Sequence, residues 1–375
     1  MRLKRAGVLL LSLGLACGLP RPAPTGAAPE TASVRATAPV PTTAPAATRL
    51  PATQTVPTAS AAPQAGPELA GCPMLPADDI WNARVDNLPI DFHSDDYVAA
   101  IGVDEPVHAD FGSGLWEGGP IGIPYVVVPG SQPGVDVSFY WDDQSDPGQY
   151  PIPNDAPIEG GPDSDGDRHV LVLDQGDCDL YELYKSYPES GGSWSAMAGA
   201  IYDLNSYALR PETWTSADAA GLPILPGLAR YDEVAAGAIN HALRFTAPDT
   251  QQAFTWPARH QASDLTGLEY PPMGQRFRLK ADFDLSGYSP AAQVILQALK
   301  TYGMMLADNG SPWFISGAPD ERWDNDVLHE LDAVVGSDFE AVDVSSLMLA
   351  PDSGQVRPPV AYDHFLFLPI AGRAN

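Results

Sequence analysis

The chain has 375 residues, 44% of them hydrophobic, and sets 48 acidic against 20 basic side chains for a net charge of -28. Its length suits one large domain or two small ones, and its eight tryptophans supply material for a core. A surface this acidic repels phosphate backbones and anionic headgroups, and no basic cluster with interleaved aromatics offsets it, which excludes nucleic acid as a partner.

Arg2, Lys4 and Arg5 precede a short apolar run over residues 8–15. That run is too short to span a bilayer and reads as the core of an export signal over residues 1–18. Ala16-Cys17-Gly18 suits ordinary signal peptidase. Cys17 is also a lipidation candidate, although the residues before it depart from the usual lipobox. The remaining cysteines, Cys72 and Cys178, form an even pair in an oxidising compartment and are expected to bond. The expected location is extracytoplasmic, secreted or anchored at the cell surface, with no transmembrane segment in the mature chain.

Residues 19–70 are dominated by Pro, Thr and Ala. They cannot bury enough surface to offset their ordering entropy and read as a disordered stalk. Folded sequence begins at residue 71. Residues 95–101 predict a short helix closed by Gly102. Residues 124–128 and 135–141 predict strands across a Pro-Gly turn. Residues 169–174 are apolar on both faces, as in an interior strand. Residues 180–185 predict its neighbour, and residues 200–203 another short strand. A long connection rich in Pro and Gly covers 210–230. Residues 232–245 predict a helix, and 253–256 a strand ending at Pro257.

In 276–284, alternation puts Phe277, Leu279, Ala281 and Phe283 on one face and Arg276, Arg278, Lys280, Asp282 and Asp284 on the other, a wet surface or a cleft wall. Ser289-Pro290 starts a helix that the apolar spacing carries to Leu306, ending at Asp308-Asn309-Gly310. A strand over 312–316, a helix over 324–335 and a strand over 338–344 follow. Residues 351–375 read as a linker and a short apolar tail. The sum predicts an α+β fold: a mostly antiparallel β-sheet or sandwich of short strands with three or four packed helices, in one domain over 71–350.

The sequence lacks a G-x-S-x-G elbow, S-x-x-K, H-E-x-x-H, a P-loop and G-x-G-x-x-G, and its seven histidines show no local zinc spacing. No cofactor is expected. The one metal candidate is calcium at Asp163-Ser164-Asp165-Gly166-Asp167, with Asp174 in the twelfth position, but Arg168 stands where such loops place glycine.

Carboxylates are the remaining catalytic groups. Paired acids cleave glycosidic bonds, in sites walled by aromatics on which sugar rings stack. Glu182, Asp203, Asp282 and Asp284 are the candidate catalytic acids on strands. Trp256, Arg259, His260 and Trp313 are the candidate substrate-binding residues, three of them gathered at a strand exit. Asp232, Glu233 and Asp308 sit at element ends, where Asp232 reads as a helix cap and Asp308 as a turn former. The leading expectation is a hydrolase acting on a polysaccharide or cell-surface glycan. The alternatives are a surface module binding glycan or protein, and a structural envelope protein.

Four stretches carry a resemblance: PADDIWN at 76–82, GDRHVLVLD at 166–174, TSADAAGLP at 215–223 and ADNGSPWFISGAPD at 307–320. Through them, residues 72–348 resemble an uncharacterised family of exported bacterial proteins. The resemblance implies one cooperative domain and brings no reaction, ligand or site with it.

Overall fold

The computed structural model describes residues 66–358. The expected signal peptide with Cys17, nearly all of the stalk and the C-terminal tail lie outside the described residues. In chain order the first elements are α1 (Ser94–Ile101), β1 (His108–Asp110), β2 (Tyr125–Val128), β3 (Val135–Phe139), β4 (Gln149–Tyr150), β5 (Val170–Asp174), β6 (Asp179–Tyr184), β7 (Tyr187–Pro188), β8 (Trp194–Ala196) and β9 (Ala198–Asp203). After the 210–230 connection come α2 (Tyr231–Ala236), β10 (Leu243–Ala247), β11 (Arg276–Leu279), α3 (Pro290–Thr301), β12 (Met304–Asn309), β13 (Phe314–Ser316), α4 (Asn325–Leu328) and β14 (Phe339–Val342).

These elements make an α+β protein with three main sheets. Two are four-stranded, ordered β9-β6-β5-β2 and β7-β8-β3-β4; the third is six-stranded, ordered β14-β11-β12-β10-β13-β1. Most pairings are antiparallel, but β2/β5, β3/β8, β10/β12 and β1/β13 run parallel. β5 is interior, and both of its faces are buried, as an unbroken apolar run requires. Val170 and Val172 share a core with Leu183, Trp194 and Ala196. Leu171 and Leu173 join the main core, which includes Phe245, Phe277 and the Ile295, Leu296 and Leu299 stripe of α3.

Several boundaries differ from the sequence expectation, each for a physical reason. The helix expected over 232–245 stops at Ala236, where Gly237 takes the left-handed conformation and its N–H caps Glu233 and Val234. Leu243–Ala247 is instead strand β10, parallel to β12. The helix expected to reach Leu306 ends at Thr301. Gly303 then turns the chain at φ +69°, where a Cβ would meet the Phe277 carbonyl oxygen at 2.1 Å. Met304–Asn309 becomes a strand whose buried run is apolar on both faces, a pattern that periodicity alone reads as helix or strand. Residues 253–256 form no strand beyond a bridge between Phe254 and Met273, and the Trp256–Pro257 peptide is cis.

The charged face of 276–284 is neither wet nor a cleft wall where it is strand. All of Arg276–Leu279 is buried, because β11 lies between β14 and β12. Arg276 donates to the carbonyls of Tyr302 and Ile80; Arg278 donates to those of Val85 and Leu88 and to Glu340. Residues 351–358, expected as a linker, are hydrogen-bonded to the body: Ile80 N–H donates to Gly354 and Val356 N–H to Asp78.

Cys72 and Cys178 are bonded, with Cα atoms 5.4 Å apart. The bond ties the N-terminal hairpin (Glu68–Leu69 with Cys72–Pro73) to the β5–β6 turn. It bridges 106 residues of sequence. Replacing both cysteines by serine should cost about 2–5 kcal/mol in denaturant unfolding; a loss below about 1 kcal/mol would show that packing alone holds the hairpin.

Candidate functional site

The most concentrated buried charge in the described residues gathers around Arg244 on β10. Its Nε donates to Asp218 Oδ2 at 2.7 Å, its Nη1 to Ser316 Oγ at 2.7 Å and its Nη2 to Asp308 Oδ2 at 3.1 Å. One guanidinium thus joins the 210–230 connection, β13 and β12. Beside it lies His169, one residue before β5 and 1% exposed. Its Nδ1 is 2.6 Å from Glu159 Oε2 and its Nε2 is 2.9 Å from the Ala217 carbonyl oxygen. Both neighbours accept hydrogen bonds only, so both ring nitrogens carry hydrogen and the ring is an imidazolium. Burial opposes that charge, but the Glu159 carboxylate overcomes it and raises the His169 pKa to about 9. Glu159 in turn is held below the usual range by His169, against the effect of its own burial.

The cluster holds two cations, Arg244 and His169, and three carboxyls, Glu159, Asp218 and Asp308. Burial pushes both Asp218 and Asp308 upward, against the pull of Arg244. Asp218 keeps an Arg244 bond on one oxygen and accepts the Ala220 N–H on the other. Asp308 is the member left to hold the proton: its pKa is raised to about 7, first by burial, with Asp218 and Asp167 adding to the rise.

Asp308 and Asp218 line a cleft of about 580 Å³, together with Trp141, Tyr184, Asp167 and His260. The Trp141 and Tyr184 rings are stacked, 10° from parallel with centroids 6.2 Å apart. His260 donates from Nδ1 to the Ala219 carbonyl oxygen at 2.9 Å. The cleft therefore presents a proton donor, an acidic neighbour, an imidazole and a flat aromatic wall.

The residues expected from sequence are distributed differently. His260 lines the cleft. Glu182 is sealed in the core, where it accepts the N–H groups of Ile224 and Leu225 and clamps the long connection; burial raises its pKa to about 7. Asp203 lies exposed at the end of β9 and accepts the Asn205 N–H. Asp282 and Asp284 lie past the end of β11 in an exposed turn, where Asp284 caps Ser286. Arg259 is buried, donating to the Arg210 and Pro351 carbonyls and pairing with Asp352. Trp256 is half-buried and donates to the Ser353 carbonyl. Trp313 is fully buried among Phe245, Phe277 and Phe339, so its faces are closed to any ligand.

Sequence reasoning missed Arg244, Asp218 and His169 and took Asp308 for a turn former. A signal was present: three of the four stretches that carry the resemblance contribute His169, Asp218, and Asp308 with Ser316 to this one cluster. In the acidic loop at 163–167, the Arg168 guanidinium donates to the carbonyls of Pro162 and Ser164 and, across the turn, of Ser186, so a protein cation organises the loop. Among the described residues no group of three or more His, Cys, Asp or Glu is arranged to hold a metal ion, and no helix is long and apolar enough to cross a membrane. No protein-family model matches the chain, and no curated protein or solved structure does either.

A carboxyl whose folded pKa lies above its unfolded value stabilises the fold below the unfolded pKa and loses that contribution as pH rises through the folded one. Asp308, Asp79 and Glu182, all raised by burial to about 7 from 3.8 or 4.5, act in this sense, as does His169 between 6.5 and about 9. Glu159 and Glu233 act oppositely, and only as pH falls below 4.5. The melting temperature should therefore fall from about pH 5 to about pH 9. Asp308→Asn should flatten the segment below pH 7; an unchanged slope would show that Asp308 is not the group holding the proton.

Proposed function

We propose that this protein is an exported hydrolase that cleaves a polysaccharide by acid–base chemistry in the Asp308 cleft. The observation that carries the reading is a carboxyl with a pKa of about 7 beside a stacked Trp141–Tyr184 wall. Asp308 would pass its proton to the glycosidic oxygen as the bond to the anomeric carbon breaks. Asp167, a further carboxylate on the cleft wall, would take a proton from the water whose oxygen attaches to that carbon. Asp218 and Arg244 would set the Asp308 pKa without touching substrate, and His260 would position sugar hydroxyls. The stacked pair offers the flat apolar face that a sugar ring covers.

Export is supported by the basic-then-apolar N-terminus and by the Cys72–Cys178 bond, which persists in oxidising compartments. We read the two four-stranded sheets as a sandwich, supported by the core they share through Val172, Leu183, Trp194 and Ala196. A second reading, a glycan-binding surface module without catalysis, is favoured by aromatics left in solvent, among them Trp116 at 72% and Tyr140 at 74% exposure.

Incubating the purified protein with a panel of plant and bacterial polysaccharides should release reducing ends. The rate should fall above about pH 7 as Asp308 loses its proton. Asp308→Asn and Asp167→Asn should each lower kcat by about 100-fold or more. No release from any polymer, or full activity in Asp308→Asn, would overturn the assignment.

A further inference from the structure

Next to the Asp308 cleft runs an open groove of about 570 Å³, and Tyr184 lines both. The groove wall also carries Tyr140 and Tyr187, 74% and 43% exposed, with the hydroxyls of Ser138 and Ser195 between them. We infer that this groove is a glycan-binding platform on which a polysaccharide continues out of the cleft, so that several sugar units are held at once. The inference rests on the carbohydrate reading of the cleft but not on its catalysis.

Single exposed tyrosines are ordinary on a protein surface. Here they form a run. Tyr140 meets Trp141 edge to face, Trp141 stacks on Tyr184, and Tyr184 shares the groove with Tyr187. The backbone that carries Tyr140 and Trp141, and the Tyr187 ring, have partners before any ligand arrives. The Tyr140 N–H donates to Ala196 at 3.0 Å and the Trp141 N–H to Met197 at 2.9 Å, fixing that edge to the neighbouring strand. The Arg168 guanidinium, itself anchored on backbone carbonyls, lies 4.3 Å from the centre of the Tyr187 ring. Rigid amphipathic rings give contact area at little entropic cost, because few rotamers remain to be frozen on binding.

Charge selects the occupant. In a protein of net charge -28 this groove has no carboxylate among its lining residues, and Lys185 is their one charged side chain. Lys185 Nζ gives one hydrogen bond to the Asp165 carbonyl and keeps others for a ligand. Ser138 and Ser195 already donate, to the Trp194 carbonyl and to Glu189, so the groove offers a neutral sugar chain ring faces for stacking and the tyrosine hydroxyls and Lys185 Nζ for hydrogen bonding, with no carboxylate among its lining residues.

Native gels cast with hydroxyethylcellulose, galactomannan, xyloglucan or soluble starch test this directly. At least one polymer should retard the full chain. Tyr140→Ala/Tyr187→Ala should weaken that retardation by about tenfold or more, while Tyr140→Phe/Tyr187→Phe, which keeps the rings, should preserve it. Both sites are solvent-facing, and an unchanged melting temperature checks that the alanine variant is folded. Tyrosine-dependent retardation without reducing-end release would end the hydrolase reading and leave the platform standing. Release with retardation unaffected by the alanine pair, or no retardation by any of the four polymers, would overturn the platform.

Discussion

The structure depends on a buried guanidinium being satisfied. Arg244 is 4% exposed, and a cation that far from water costs several kcal/mol unless paired and hydrogen-bonded. It can be satisfied only if the long connection delivers Asp218, β12 delivers Asp308 and β13 delivers Ser316. The long connection and the consecutive strands β12 and β13 are therefore fixed to one point. The same requirement creates the chemistry. A second cation, His169, is neutralised by Glu159, so Arg244 faces two carboxyls, Asp218 and Asp308, and one of the pair is surplus. A surplus carboxyl in a desolvated position is pushed towards its protonated form, and Asp308 lines the cleft.

Arginine plays this part throughout the molecule. Arg168, Arg210, Arg259, Arg276 and Arg278 are all buried, and each donates to carbonyls of irregular backbone. The 210–230 connection has few strand or helix partners, so side-chain donors satisfy carbonyls that regular structure would otherwise pair. Arg210 reaches Thr215 and Gln144, and Arg259 reaches Arg210 and Pro351. Placing cations inside leaves the surface more acidic than the composition alone implies. That sharpens the contrast with the carboxylate-free tyrosine groove.

What could be read from sequence followed from local rules. The interior character of β5 showed in its unbroken apolar run. The start of α3 showed in Ser289-Pro290, where Ser289 does cap the Ala292 N–H. The cysteine pair followed from parity and compartment. What escaped was set by tertiary partners. The strand expected over 276–284 ends at Leu279, and the cationic face of that part turned inward because the segment around Ile80 and Val85 covers it. Glu182 on a strand looks the same in sequence whether it faces a cleft or accepts two buried N–H groups. Arg244, near the end of a run that mimics a helix, gave no local sign that it would be a hub, because its three partners come from 26 to 72 residues away.

Charge and shape together then narrow what the molecule can hold. A polymer of uniform negative charge must approach a protein of net charge -28 against its field. A neutral polymer meets no such barrier. The cleft is lined by the stacked Trp141 and Tyr184 rings and by Asp308. In the groove, the wall is aromatic and hydroxylic without acids. Tyr184 belongs to both, so on the proposed reading a chain bound on the tyrosines would be led towards Asp308. Binding at the groove would then raise the local concentration of glycosidic bonds beside a carboxyl whose pKa is raised to about 7. On that reading the cleft would supply acid catalysis and the groove affinity, with the shared ring joining the two.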